Sequence, residues 1–179
     1  MTHIFLIGYM CCGKTTLGMA LARELGMPFI DLDNYIEERC ESTIRTLYQE
    51  VGEKRFREIE RQALHEVSHT AEAAVVACGG GTPCTPGNME LMNRVGITVW
   101  LRTSVNRITS RLVLPEQRSK RPLLNNMSDE EIKESVKKGF KARNKFYKKA
   151  QLQFDSTYLE SEQEINGTAQ RLAYIITNL

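Results

Sequence analysis

Residues 8–16 read GYMCCGKTT and place two glycines, a lysine and a threonine at the spacing G-x-x-x-x-G-K-[ST]. An apolar run, Ile4–Ile7, leads into this stretch, and the helix-like segment Thr16–Leu25 leads out of it. In that context the glycines let backbone N–H groups and a helix N-terminus point at one concavity, which suits phosphate groups. An ordinary glycine turn is the alternative, but the complete consensus and both flanks favour a phosphate-binding loop.

The loop predicts a nucleoside triphosphate and Mg²⁺ as ligands. Lys14 is placed to reach the outer phosphates, and the Thr15 hydroxyl is a candidate ligand of the metal ion. Cys11 and Cys12 are either reactive thiols, favoured by the nearby lysine and helix N-terminus, or inward-facing space fillers, and both alternatives remain open. The candidate nucleotide-binding residues are Cys11, Cys12, Gly13, Lys14, Thr15 and Thr16.

The composition predicts one ordinary globular domain over residues 1–179. Hydrophobic residues make up 41% and charged residues 26% of the chain. No apolar run approaches the roughly 20 residues that a membrane-crossing helix needs. The five cysteines are an odd number without a C-x-x-C pair, which predicts reduced thiols and no disulfide framework. We therefore expect a cytoplasmic protein with no membrane partner.

Five short apolar runs alternate with segments of helical spacing. They are Ile4–Ile7, Pro28–Leu32, Ala74–Cys78, Ile97–Leu101 and Leu152–Phe154. Because these runs are apolar throughout, they suit an α/β fold in which a parallel sheet is covered by helices on both faces. Such sheets bind ligands beyond the carboxyl ends of their strands.

Two carboxylates, Asp31 and Asp33, follow the second apolar run and precede a helix-like segment. Asp33 or Asn34 can serve simply as the N-cap of that helix, but capping does not require two acids. Beside a phosphate-binding loop, one carboxylate can contact the water shell of Mg²⁺ and the other a substrate hydroxyl. The pair therefore favours a functional role.

The helix-like segment 52–70 has an apolar stripe and charges on its other faces. It also contains His65-Glu66-Val67-Ser68-His69, a literal match to the zinc-protease pattern H-E-x-x-H. The pattern lacks an evident third ligand and an apolar surround, so a zinc site is disfavoured.

The third apolar run ends in three glycines, Gly79–Gly81, followed by Thr82-Pro83. Three bare backbone N–H groups can meet an anion or a hydroxyl, whereas the alternative, a flexible turn, is weakened by the stiff Pro83. Further on, residues 115–126 are polar, basic and punctuated by prolines, which predicts a mobile lid over about 113–126. A kinase needs such a lid to exclude water from the phosphoryl group.

Taken in order, these motifs resemble the shikimate kinase family over essentially the whole chain. The matching residues are GYMCCGKT, Asp31-x-Asp33, Phe56-Arg57 followed by Glu60, Gly79–Gly81, Arg121-Pro122-Leu123-Leu124, and Arg143 four residues before Tyr147. The resemblance implies a P-loop kinase of the nucleoside monophosphate kinase type, with a five-stranded parallel sheet and a mobile lid. It also implies transfer of the ATP γ-phosphate to the 3-hydroxyl of shikimate, in chorismate and aromatic amino-acid biosynthesis.

The resemblance further implies a role for each candidate residue. Asp33 would hold the hydroxyl as the base, and Arg57 and Arg143 would grip the shikimate carboxylate. Gly79, Gly80 and Gly81 would line the ring. Arg121 would be the lid arginine on the ATP phosphates, catalytic together with Lys14 and Asp33. Asp31 and Thr15 are the candidate metal-site residues, and Arg111 and the segment around Thr157 are candidates for adenine contacts.

Other functions remain open at this point. A gluconate or nucleoside monophosphate kinase would share the fold, although the paired arginines and the triple glycine argue against it. A GTP-driven switch would need an N-K-x-D motif, but Asn144-Lys145 is followed by Phe146-Tyr147. Basic residues cluster between residues 118 and 149, yet the net charge is only +2 and no nucleic-acid-binding module is recognisable. We expect a monomer whose partners are shikimate and ATP, and no nucleic acid.

Overall fold

A parallel sheet of five strands forms the centre of the protein. The strands are β1 (His3–Ile7), β2 (Phe29–Asp31), β3 (Val75–Ala77), β4 (Gly96–Arg102) and β5 (Leu152–Asp155), in the order β2-β3-β1-β4-β5. All neighbouring pairs are parallel, so every carboxyl end lies at the same edge. The computed structural model describes residues 2–119, 124 and 126–179. The five-stranded parallel sheet predicted from the apolar runs is confirmed.

Helices cover both faces of this sheet. They are α1 (Lys14–Leu25), α2 (Leu32–Cys40), α3 (Ile44–Val67), α4 (Asn88–Val95), α5 (Val105–Leu112), α6 (Pro115–Ser119), α7 (Asp129–Tyr147) and α8 (Glu162–Thr177). Phe5 and Ile7 of β1 enter the core beneath α2, α3 and α7, whereas Ile4 and Leu6 enter the core beneath α1 and α8. This burial on both faces explains why the strand is apolar at every position.

Two helices begin at capping boxes, which hold the loops before them in place. Ser128 and Glu131 form the box of α7, and Ser161 and Glu164 form that of α8. In each box the serine side chain and the glutamate side chain satisfy backbone N–H groups that the first helical turn leaves unpaired.

Several segments differ from the sequence prediction. α3 begins at Ile44 and bends at Gly52, whose φ of 74° interrupts the helical conformation. The sequence predicts that this helix starts near residue 52, but that position is a bend inside a longer helix. The apolar pattern does not predict the eight-residue α4. The predicted loop is wrong for residues 115–119, which form α6, because the N–H groups of Gln117 and Arg118 donate to the Leu114 carbonyl.

The centre of the predicted lid, residues 120–123 with residue 125, lies outside the described residues, and Arg121 is among them. Among the helices that the structure does describe, none combines the length and the apolar character needed to cross a lipid bilayer.

Candidate active site

The phosphate-binding loop turns through three residues with positive φ, namely Gly8 (148°), Cys11 (58°) and Gly13 (97°). A Cβ on Gly8 would lie 2.8 Å from both Cys12 Sγ and Leu101 O, so this position excludes a side chain. The glycines therefore serve both the left-handed backbone and the close approach of the loop to the end of β4.

Lys14 folds back onto this loop. Its Nζ lies 3.1 Å from Gly8 O and 3.0 Å from Tyr9 O, which holds the partly buried ammonium group beside the loop. α1 begins at Lys14, and its N-cap, Gly13, has no side chain to cap the first turn. The first N–H groups of α1 and the ammonium group together make the positive site that phosphates require.

The two loop cysteines have different surroundings. Cys12 is 1% exposed and packs in the core beneath α1 and α8, and its carbonyl accepts a hydrogen bond of 2.9 Å from Ser156 Oγ. Cys12 is thus the inward-facing space filler of the two alternatives. Cys11 is partly buried, with its Sγ 3.7 Å from Gln117 Oε1, and its reactivity stays a prediction.

Thr15 and Asp31 meet where β2 ends. The Thr15 hydroxyl donates to Asp31 Oδ2 at 2.8 Å, and Asp31 Oδ1 accepts from the backbone N–H of Asp33 at 3.1 Å. Asp31 is therefore the N-cap of α2, so the disfavoured alternative, in which Asp33 or Asn34 is merely the cap, does not apply. A hydroxyl and a carboxylate side by side are hard oxygen donors, and Mg²⁺ is commonly held by one or two such groups plus substrate phosphates. This donor pair fits Mg²⁺.

Asp33 lies in the first turn of α2, on the side of the triple glycine. Burial, followed by the negative charges of Asp31 and Glu60, raises the pKa of its carboxyl group to about 6, although Lys14 opposes the shift. A carboxyl group with this pKa is mostly ionised at neutral pH and is still basic enough to accept a proton.

Arg57 is held by a glutamate that is buried. Arg57 Nη1 lies 2.8 Å from Glu60 Oε2, and Glu60, which is 1% exposed, also accepts a hydrogen bond of 2.6 Å from Thr82 Oγ1. A guanidinium group has five N–H donors, so Arg57 keeps donors for an anion after bonding Glu60. The glutamate fixes the direction in which those donors point.

The triple glycine is where the predicted residues meet. A Cβ on Gly79 would lie 2.8 Å from Glu60 Oε1 and 3.1 Å from Asp33 Oδ1. A Cβ on Gly81 would lie 2.5 Å from Arg57 Nη2, and one on Gly80 would contact Arg143 Nη1 at 3.5 Å. Bare backbone at these positions is what lets carboxylate and guanidinium groups from different helices converge.

Arg143 of α7 lies against the phosphate-binding loop through Tyr9. Its guanidinium carbon is 5.3 Å from the centre of the Tyr9 ring, and the Tyr9 hydroxyl occupies the space that a Cβ on Gly139 would need. One turn further along α7, the hydroxyl of Tyr147 donates to Gly80 O at 2.7 Å. Burial raises the pKa of Tyr147, so this hydroxyl stays protonated and remains a donor.

Arg111 connects the phosphate-binding loop with the loop after β5. It donates from Nη1 to Cys11 O at 2.9 Å and from Nη2 to Thr157 O at 3.0 Å, and it pairs with Glu160. The structure thus brings together the two candidates for adenine contacts.

The structure places the described site residues at the carboxyl edge of the sheet, and Arg121 lies outside the described residues. Sequence reasoning missed Thr82, Tyr9 and Gly139, because their spacing carries no signal of chemistry. His65 and His69 do not join this site. Their rings stack with centres 4.1 Å apart, and His69 Nδ1 lies 2.7 Å from the carbonyl oxygen of His65.

Comparison with known proteins gives consistent matches. The family model described as Shikimate kinase matches residues 10–173. Shikimate kinase from Phocaeicola vulgatus is 48% identical over 172 residues, which are 96% of this chain and 97% of that protein. The crystal structure of shikimate kinase from Bacteroides thetaiotaomicron has a TM-score of 0.93 at 44% identity and covers 98% of both chains. That of Acinetobacter baumannii shikimate kinase in complex with shikimate has a TM-score of 0.83 at 30% identity, covering 99% of this chain and 94% of that one.

Proposed function

The chain belongs to the shikimate kinase family, and we propose that the site described above transfers the γ-phosphoryl group of ATP, with Mg²⁺, to the 3-hydroxyl of shikimate. Family membership makes this protein a kinase of aromatic amino-acid biosynthesis. The convergence of Asp33, Arg57 and Arg143 on the triple glycine is the observation that supports the residue roles.

Asp33 receives the proton in the reaction. A bond forms between the shikimate 3-oxygen and the γ-phosphorus, the bond from that phosphorus to the β–γ bridging oxygen breaks, and ADP leaves. The proton of the hydroxyl passes to the Asp33 carboxylate, which is ionised at neutral pH because its pKa is about 6.

Charge neutralisation accounts for most of the remaining catalysis in such transfers. Lys14 and the first N–H groups of α1 hold the phosphates, and Arg121 of the lid meets the transferring phosphoryl group. Thr15 and Asp31 would hold Mg²⁺, which when bound neutralises charge on the phosphate oxygens.

Arg57 and Arg143 bind the carboxylate of shikimate. A planar carboxylate matches guanidinium groups well, and Arg57 is already directed by Glu60. The backbone of Gly79, Gly80 and Gly81 lies between these arginines and Asp33, so the ring fits against it.

The test is an assay of ADP formation by the purified enzyme with Mg²⁺ and ATP. We expect turnover with shikimate and none with gluconate or a nucleoside monophosphate. Arg57→Ala should raise the shikimate KM at least about tenfold, because it removes a charge-assisted contact. Arg55→Ala is the matched control, since Arg55 is exposed on the same helix and pairs with Glu58. If the shikimate KM of Arg57→Ala is unchanged, Arg57 does not bind the substrate.

Cytoplasmic location and a monomeric state are part of the same proposal. All five cysteines are free thiols, which suits a reducing compartment.

A further inference from the structure

A second cleft, with a volume of about 740 Å³, lies along the outer strand β5, on the sheet face that α5 and α7 cover. Its volume is within the range of small-molecule sites. None of residues 8–16, all of which the structure describes, lines this cleft, and neither do the triple glycine, Asp33, Arg57 or Arg143. The cleft is therefore distinct from the residues proposed to hold phosphates and shikimate, although Thr157, a candidate for adenine contacts, is among its lining residues.

Aromatic side chains form one part of the cleft. Trp100 is 4% exposed, and its ring centre lies 6.3 Å from that of Phe140 with the ring planes tilted by 37°. The Arg102 guanidinium carbon lies 5.5 Å from the centre of the Trp100 ring. A flat apolar group of a ligand can pack beside this pair in the offset geometry that aromatic rings favour.

Charged side chains of both signs line the same cleft. Arg102 and Lys148 are exposed, and the ion pairs between described residues include neither of them. Asp155 is the β5 partner of Arg102 in the sheet register and accepts a hydrogen bond of 2.8 Å from Thr157 N. Two cations and one carboxylate thus stand at a cleft that also has an aromatic wall.

Two buried polar atoms of cleft residues have no hydrogen-bond partner among the described residues. They are Trp100 Nε1, which is a donor, and Asn144 Oδ1, which is an acceptor. Buried polar groups are nearly always paired, so two unpaired ones at a single cleft are not explained by packing within the chain. Both atoms are buried, so they belong to the wall behind the cleft and a bound molecule would contact the exposed charges instead.

We propose that this cleft binds a free aromatic amino acid. The ring lies against Trp100 and Phe140, the carboxylate is bound by Arg102 and Lys148, and the ammonium group is bound by Asp155. A carboxylate, an ammonium group and an aromatic ring are the three features that complement the three kinds of lining residue.

The test uses L-phenylalanine as the probe and the full chain as the protein. Trp100 is the one tryptophan of the 179-residue sequence, so its fluorescence reports on the cleft. We expect a saturable fluorescence change with phenylalanine, confirmed by calorimetry, and weaker binding of 3-phenylpropionate, which lacks the ammonium group. Arg102→Gln and Lys148→Gln should each weaken phenylalanine binding about tenfold, through loss of a charge-assisted contact. Lys138→Gln is the matched control, because Lys138 is an exposed lysine of α7 outside the cleft lining.

Three results would overturn the proposal: no saturable signal, wild-type affinity in both cleft variants, or competitive displacement of phenylalanine by ATP and Mg²⁺. The last result would make the cleft part of the nucleotide site. Shikimate phosphorylation by each variant should equal that of the wild type, which verifies folding independently of phenylalanine binding. If Arg102→Gln does not fold, Lys148→Gln and the comparison with 3-phenylpropionate still decide the matter.

Discussion

The Asp33 carboxyl group links the chemistry of this enzyme to its stability. Burial, Asp31 and Glu60 raise its pKa to about 6, so the ionised form of Asp33 destabilises the folded protein at neutral pH. We predict that Asp33→Asn lowers the turnover number at least about 100-fold, because the base is lost. The same substitution should raise the free energy of unfolding by about 3 kcal/mol at pH 7, because an uncharged group replaces a disfavoured charge.

Denaturant unfolding and a steady-state assay measure these two effects on the same preparation. Glu38→Gln is the control, because Glu38 is an exposed carboxylate of the same helix. It should change neither quantity. An Asp33→Asn protein that is less stable than the wild type would contradict the account of the raised pKa.

Glu60 raises the pKa of the Asp33 carboxyl group through its negative charge, and it also forms an ion pair with Arg57. Glu60→Gln keeps the shape of the side chain and removes one of the negative charges that raise the pKa of Asp33. The acid limb of the pH profile of kcat/KM should therefore move to lower pH, by roughly half a pH unit to one unit. The shikimate KM should also rise, since Arg57 loses a charged partner.

The pH profile separates this electrostatic effect from simple loss of structure, which would lower activity at every pH. Glu58→Gln serves as the control, because Glu58 is exposed and pairs with Arg55. The prediction fails if the acid limb of Glu60→Gln stays where it is in the wild type or moves to higher pH.

At the scale of elements, the sequence predicts those helices, strands and loops in which backbone conformation or burial permits only certain residue types. The phosphate-binding loop is predictable because only glycine fits Gly8 and Gly13, with their positive φ and close neighbours. The buried parallel strands are predictable because both of their faces need apolar side chains. The requirement for glycine at Gly79 and Gly81 has a related reason, since a Cβ there would crowd Asp33 or Arg57.

Other elements depend on contacts that no local pattern reveals. Gly52 bends α3 without a change in the apolar pattern around it, and α6 forms inside a polar segment. Glu60 occupies a core position although its residue type is usually exposed, because Arg57 and Thr82 satisfy its oxygens. Such pairings across the fold become visible only in three dimensions.

The contact between α7 and the phosphate-binding loop depends on the absence of a side chain at Gly139. A Cβ there would overlap the Tyr9 hydroxyl, and Tyr9 is the ring against which Arg143 lies. We predict that Gly139→Ala raises the shikimate KM about tenfold, because overpacking of this kind typically costs about 1–3 kcal/mol. The turnover number should change less, since Asp33 and Lys14 are not displaced.

Gly167→Ala is the matched control for helix propensity. Gly167 lies within α8, and a Cβ added there would meet no atom within 4 Å. This substitution should stabilise the protein by about 0.5–1 kcal/mol and leave the KM unchanged. If Gly139→Ala behaves in the same way, the packing of Tyr9 does not position Arg143.

At the scale of the whole molecule, two buried groups on different elements give opposite pH dependences. His3 begins β1, is 6% exposed, and accepts a hydrogen bond of 3.2 Å from Ala74 N through Nδ1. Burial lowers its pKa in the folded state, so its contribution to stability is lost as the pH falls through the value of about 6.5 of the unfolded chain. The raised pKa of Asp33 has the opposite sign, because the folded state binds that proton more tightly and gains stability as the pH falls through about 6.

These opposing contributions overlap near pH 6, which flattens the dependence of wild-type stability on pH in that range. Asp33→Asn removes only the group that gains stability on acidification, so its free energy of unfolding should fall more steeply than that of the wild type between about pH 6 and pH 4. Most of the greater stability of the variant at pH 7 should be lost by about pH 4, where Asp33 of the folded wild type is protonated. Urea unfolding of both proteins over this range measures the difference, and every other titrating group is common to the pair. If the two curves of unfolding free energy against pH are parallel, the pKa of Asp33 is the same in the folded and unfolded chains. The proposal that burial makes Asp33 a stronger base would then be contradicted.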